Sequence, residues 1–241
     1  MRSPVSRHKP PPVVAPLLAA LLGVLLGIRH AFEPDHLAAV STLAAEERSV
    51  KGGLFLGALW GLGHTASLLL VGGTLAAVET QMPEHVADAL ELCVGVMIVG
   101  LGIRAIVKAV REGRMGEVTP HTHGDVAHAH ASKAPHVHVS RWTLATRPLV
   151  VGLIHGLAGS GALTALVLAE LPSVGARLAY IAMFGAGSVV GMSMLSALCG
   201  FPLARLQRAP RMMAALLLAV GILSVGAGAW WGISAAERLF A

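Results

Sequence analysis

The stretch from Gly27 to Thr42 places Arg29, His30, Glu33, Asp35 and His36 inside an apolar run that extends from about Val13 to Leu43. An ionisable side chain at the centre of a membrane helix costs at least about 2.5 kcal/mol, so five of them together mark a pathway or a site. Two imidazoles and a carboxylate form a good ligand set for a borderline divalent metal ion. A straight helix would waste them, because at about 3.6 residues per turn His30, Asp35 and His36 point in three directions. Pro34 supplies the remedy. It has no amide hydrogen and its ring clashes with the carbonyl of His30, so the helix is predicted to break or kink within the motif. Arg29 and Glu33 stand four apart and can pair, which would leave Asp35 free as the anionic ligand.

Two of the twelve histidines lie in other apolar runs beside groups that could serve the same site. His64 sits in Gly61-Leu-Gly-His-Thr-Ala-Ser67, where glycines allow close helix approach and hydroxyls can bond the second ring nitrogen. It is read as a ligand or as a support of one, with Thr65 beside it on the pathway. His155 opens Gly156-Leu-Ala-Gly-Ser-Gly161, a run too flexible for an ordinary helix interior and expected to mirror the break at Pro34. Ser160 and Thr164 can offer oxygen to a passing ion, although satisfying the backbone is the simpler role. Glu170 should face water. A further concentration, His121, His123, His128, His130, His136 and His138, puts six histidines into eighteen residues as three His-x-His pairs. Such a tract has no core to build and reads as a disordered, accessory metal-binding loop that holds Ni, Co, Zn or Cu loosely.

The elements that must position these residues are membrane helices. The chain is 55% hydrophobic and 13% charged, with a mean hydropathy of +0.71, which makes it an integral membrane protein. The net charge of +5 sits in loops and forms no basic stripe, so nucleic acid is not an expected partner. Cys93 and Cys199 show no metal or redox spacing and are assigned to packing. Met1–Lys9 is read as the charged head of a retained span rather than of a cleaved leader.

Spans of roughly 20 residues are predicted at about 13–44, 53–78, 87–108, 147–169, 176–200 and 211–233. The first is one tilted or broken span. Loops after the first, third and fifth spans hold eleven Lys and Arg against five on the other side, so both termini are expected outside and the long loop inside. Three matches relate the two halves of the chain. Gly27-Ile-Arg-His30 matches Gly152-Leu-Ile-His155. Gly61-Leu-Gly-His64 matches Gly185-Ala-Gly-Ser188, which brings Ser188 onto the pathway. Val94–Gly102 matches Val220–Gly228. A unit of three spans must insert its second copy upside down, the plan of many secondary transporters, with a site near the midplane on broken helices. The expected fold is thus all-α, with six transmembrane helices as two inverted three-helix repeats. Residues 1–12 form a polar tail, 13–108 the first repeat, 109–146 the His-rich polar loop and 147–241 the second repeat. Because only the first repeat carries an acid, the ion is expected to be held by the first half and gated by the second.

Arg29-His-Ala-Phe-Glu-Pro-Asp-His36 resembles the signature of the nickel/cobalt permease family, a His, four residues, then Asp-His in an early span. Gly63-His-Thr65 is similar to that family's second motif and Phe184-Gly-Ala-Gly-Ser-Val-Val-Gly-Met192 to a later one. With Gly152-Leu-Ile-His-Gly-Leu-Ala-Gly-Ser-Gly161, the pattern is closest to the shorter UreH-like branch. The resemblance implies uptake of Ni²⁺ or Co²⁺ as transported substrate, with no cofactor, across the inner (cytoplasmic) membrane, and carries over His30, Asp35 and His36 as essential ligands. Pro34 replaces the small residue of the usual signature, and six spans replace the common eight. Related efflux proteins share a histidine-rich loop but have Gly before the second His, where Asp35 stands here, which favours uptake.

Enzymatic readings fail on the residues. An intramembrane serine protease using Ser160 needs a histidine on a late span, and the fifth and sixth spans have none. A thiol–disulfide carrier needs symmetry-related cysteines, whereas Cys93 and Cys199 break the repeat. A metal sensor or chaperone acting through the loop is the binding-protein alternative. Imidazoles bind metal only as free bases, so transport is expected to fall as pH drops below roughly 6.5.

Overall fold

The computed structural model of the chain describes residues 14–44, 49–115, 121–123, 126–128, 141–206 and 209–241. The apolar run at the start folds as α1 (Val14–His30) and α2 (Pro34–Ala44), bent by 59° at the intervening Ala31–Glu33. The break lies where Pro34 requires it. α1 ends at His30, a turn closes with Phe32 N donating to Arg29 O and Glu33 N to His30 O, and Pro34 opens α2 at a position that needs no amide hydrogen. From helix rise and this bend, the pair advances about 34 Å along the first axis, enough to cross a hydrocarbon core of about 30 Å.

α3 (Val50–Ser67) is capped by the Ser49 hydroxyl, which accepts from Gly52 N at 2.9 Å, and runs through a π-helical turn at Leu68–Gly72 into α4 (Gly73–Ala77). α5 (Glu84–Met115), α6 (Arg141–Glu170), α7 (Val174–Leu206) and α8 (Pro210–Phe240) complete the helices. Among the described residues, five spans, from Val50, Glu84, Thr146, Val174 and Arg211 onward, are long and apolar enough to cross a membrane, or six if the bent pair is counted as one. The protein is therefore a helical, multi-pass membrane protein.

The polar loop is shorter than the expected 109–146. α5 continues to Met115 and α6 begins at Arg141, so both helices run on past their most apolar stretches. Nor is the histidine tract wholly without structure. β1 (His121–His123) pairs antiparallel with β2 (Val126–His128), with His121 opposite His128 and His123 opposite Val126. His130, His136 and His138 lie outside the described residues, as do residues 1–12.

Helices pack through glycines whose missing Cβ lets backbone touch backbone. A Cβ on Gly27 would lie 2.0 Å from the Phe184 carbonyl oxygen, and one on Gly152 would lie 2.0 Å from that of Trp60. These contacts press α1 against α7 and α6 against α3, while α5 and α8 pack on each other. The buried core beside α2 is built from Ala39, Val40, Leu43, Leu56, Trp60, Met192 and Leu195. At the opposite end of the bundle, the buried Arg177 joins three segments. It donates to Leu171 O at 2.9 Å, to Ala76 O at 3.4 Å and to Glu79 Oε1 at 2.8 Å.

Candidate metal centre

The bend between α1 and α2 brings His30, Asp35 and His36 to one place, and α3 and α6 bring His64 and His155 to meet them. His36, His64 and His155 are buried, and His30 is nearly so. The ring centroid of His36 lies 4.4 Å from that of His30, 5.4 Å from His64 and 4.2 Å from His155. Among the described residues, two groups of three could hold a metal ion: His30, His36 and His64, and Asp35, His36 and His155. Within each group the ligand atoms all lie within 4.8 Å of one another. These are the four expected ligands, with one addition. His155, expected on the pathway, touches the acid directly.

The carboxylates stand behind the rings. Glu33 Oε2 lies 2.9 Å from His30 Nδ1, so the acid expected to pair with Arg29 pairs with the histidine instead. His30 and Glu33 stand three apart, a spacing at which helix neighbours meet, and they pair across the turn that ends α1. Asp35 is likewise not free. Its Oδ1 lies 2.9 Å from His36 Nδ1 and accepts from the His36 amide at 2.9 Å, and its Oδ2 lies 2.7 Å from His155 Nε2. Each imidazole that presents its Nδ1–H to a carboxylate keeps the Nε2 lone pair for a metal, the arrangement by which a second layer of acids fixes tautomer and ring orientation. The Nε2 of His36 and both ring nitrogens of His64 are buried with no hydrogen-bond partner.

The remaining pathway residues serve the backbone. Thr65 donates to Gly185 O at 3.0 Å, Ser160 to Gly156 O at 2.7 Å and Ser188 to Phe184 O at 3.0 Å. Thr164 donates to Ser160 O at 2.7 Å, and Glu170 is exposed as expected. His155 and its glycine run lie in the middle of the unbroken α6, so the mirrored break does not form.

A cavity of about 610 Å³ reaches the five site residues. Its other lining residues include Glu91, Tyr180, Phe184 and Trp231, toward the end of the bundle that carries the loops after α4 and α6. Trp60 does not line it. That indole lies against His36 and His155, with ring centroids 5.4 and 6.0 Å away, and is fully buried in the apolar core on the far side. The His30 ring meets Phe184 at 5.2 Å. Sequence reasoning singled out neither aromatic as part of the site. The signal was present: each precedes the glycine of a matched segment, Trp60-Gly-Leu-Gly-His64 and Phe184-Gly-Ala-Gly-Ser188.

The pattern of the NicO family, described as high-affinity nickel-transport protein, matches residues 17–228. The chain is 33% identical over 216 residues to a urease accessory protein, UreH, of Bacillus sp. (strain TB-90), covering 89% of this chain and 91% of that protein. It is 26% identical over 197 residues to Chloroplast protein FOR GROWTH AND FERTILITY 1 of Arabidopsis thaliana, covering 81% of this chain and 53% of that protein. A second Arabidopsis protein of that name, numbered 2, is 26% identical over 198 residues, covering 81% of this chain and 50% of that protein. No solved structure matches significantly.

Proposed function

Because the chain belongs to the NicO family of nickel-transport proteins, we propose that it takes up Ni²⁺, and Co²⁺ by the same chemistry, with the ion held between His30, His36 and His64. The protein is a metal permease and not an enzyme. The observation that carries the ligand assignment is the set of buried, unpartnered nitrogens on His36 and His64, facing the His30 ring at the end of the cavity. A buried polar group left unpaired costs about 1–3 kcal/mol, and a divalent ion removes that cost at several atoms at once. Asp35 supplies the negative charge from behind His36, and Glu33 does the same for His30.

The six-span count, the inverted repeat and the inward location of the long loop belong to the same reading. The glycine contacts support the repeat. Gly27 meets Phe184 as Gly152 meets Trp60, Gly63 meets Leu149 as Gly187 meets Val24, and Gly95 meets Gly228 on the helix pair where Gly102 meets Gly221. Every one of these pairs is the counterpart of another under the offsets of 124 to 126 residues between the matched segments. With the Lys- and Arg-rich loops inside, the cavity opens outward from the cytoplasmic membrane and is poised for uptake. The loop histidines His121, His123, His128, His130, His136 and His138 act as an accessory collector on the inner side.

Radiolabelled nickel and cobalt accumulation in cells expressing the wild type and His36→Ala tests this reading. Accumulation with the wild type and its loss in the variant is the expected result. No accumulation of either ion with the wild type, or a rise in the variant, contradicts uptake.

A further inference from the structure

We infer a second ion position next to the first, formed by Asp35, His36 and His155 and sharing His36 with it; this rests on the transport reading above. The two groups of three have no other member in common. The first lies on the side of Phe184 and the open cavity, where His30 packs against that ring. The second lies on the side of Trp60, which touches His36 and His155 but not the cavity. His36 stands between them, and its two ring nitrogens face different ways. Nε2 is unpartnered and serves the first position, whereas Nδ1 points at Asp35 Oδ1.

The chemistry of the second set suits the same class of substrate, a borderline divalent ion taking two imidazoles and one carboxylate. His155 Nδ1 is buried without a partner, so a change of tautomer gives up only the Nε2–H bond to Asp35, which coordination of the ion by Nε2 and the carboxylate replaces. With no ion in the second position, Asp35 accepts N–H from both rings. When the ion moves there, Nδ1 of His36 and Nε2 of His155 become lone-pair donors. Each gives its proton to water, and the opposite nitrogen of the same ring takes one up, so both rings stay neutral. The ion is then handed from one nitrogen of His36 to the other and advances toward the Trp60 side without leaving the protein's ligands.

The test uses the full-length protein purified in detergent and in proteoliposomes, with Co²⁺ as the probe, read by its visible absorption and by uptake. His155→Ala is expected to bind Co²⁺ with unchanged affinity at the first position while uptake falls by about tenfold or more, as for loss of a metal-site group. His64→Ala is expected to retain one weaker Co²⁺ with an altered spectrum, held at the second position. The double variant should bind none. His155→Gln, which keeps a donor to Asp35, should reproduce the His155→Ala result and guards against a folding defect. Equal loss of affinity in His155→Ala and His64→Ala would mean one site rather than two, and wild-type uptake in His155→Ala would also overturn the second position. Co²⁺ binding by a wild type that moves no ion would sink the transport reading instead, while the binding comparison still counts the positions.

Discussion

His30 and His155 occupy matching places in the two halves of the chain, and their surroundings differ. Around His30, Gly27 abuts the Phe184 carbonyl, and the imidazole packs on the Phe184 ring. Around His155, Gly152 abuts the Trp60 carbonyl just as closely, and the imidazole lies near the Trp60 ring. The scaffolds agree, yet Phe184 lines an open cavity and Trp60 is sealed in apolar core. Under the proposed repeat, one corner is open and its counterpart shut, which is the condition an alternating-access carrier must exchange. The chemistry is lopsided as well. The first half supplies Glu33, Asp35, His36 and His64, whereas the counterpart of His64 is Ser188, spent on a helix carbonyl.

The comparison breaks most severely at the glycines. Gly27→Val and Gly152→Val each put carbon where a carbonyl oxygen already lies. Both are expected to destabilise beyond the usual overpacking cost of about 1–3 kcal/mol, because the obstacle is backbone and cannot rotate away. Size-exclusion profiles of the two purified variants should show equal loss of folded protein. Normal yield from one of them would separate the two corners.

The aromatics sharpen the contrast next. Trp60→Ala should cost about 3–5 kcal/mol, the range for a fully buried aromatic. Phe184→Ala should cost clearly less, since that ring borders open space. Thermal unfolding in detergent decides it, and equal costs would deny that the Trp60 corner is the closed one.

The acids give the smallest and most local effect. Asp35→Asn should weaken nickel binding by about 10–100-fold, the range for a group orienting a ligand imidazole. Glu33→Gln should do less, because its side chain is 52% exposed and screened by water. Calorimetric titration with Ni²⁺ orders the two, and a larger loss for Glu33→Gln would reverse the assignment of charge.

Much of this was legible in the residues. The spans follow from hydropathy, and the break follows from Pro34, whose ring clashes with the His30 carbonyl in a continuous helix. Convergence of His30, Asp35, His36 and His64 was expected from ionisable groups that apolar helices otherwise exclude. What the sequence hid were partner choices made by tertiary geometry. Helical spacing offered Glu33 both Arg29 and His30, and Glu33 pairs with His30. Asp35 looked free because its partner His155 stands 120 residues away on another helix. His155 looked like a second break because glycine-rich sequence is weak as an isolated helix, yet Gly156 is needed where α6 touches the His64 backbone of α3. The repeat placed His30 and His155 in register but could not assign them different surroundings, because those are set by which aromatic borders the cavity and which is packed in the core.

X-ray absorption at the nickel edge of the purified, nickel-loaded protein tests the central claim most directly. The account predicts a shell of nitrogen and oxygen ligands with the multiple scattering of three imidazoles, falling to two in His64→Ala and unaltered in His85→Ala, an exposed histidine outside the cavity. A spectrum unchanged by His64→Ala would place the ion elsewhere and contradict it.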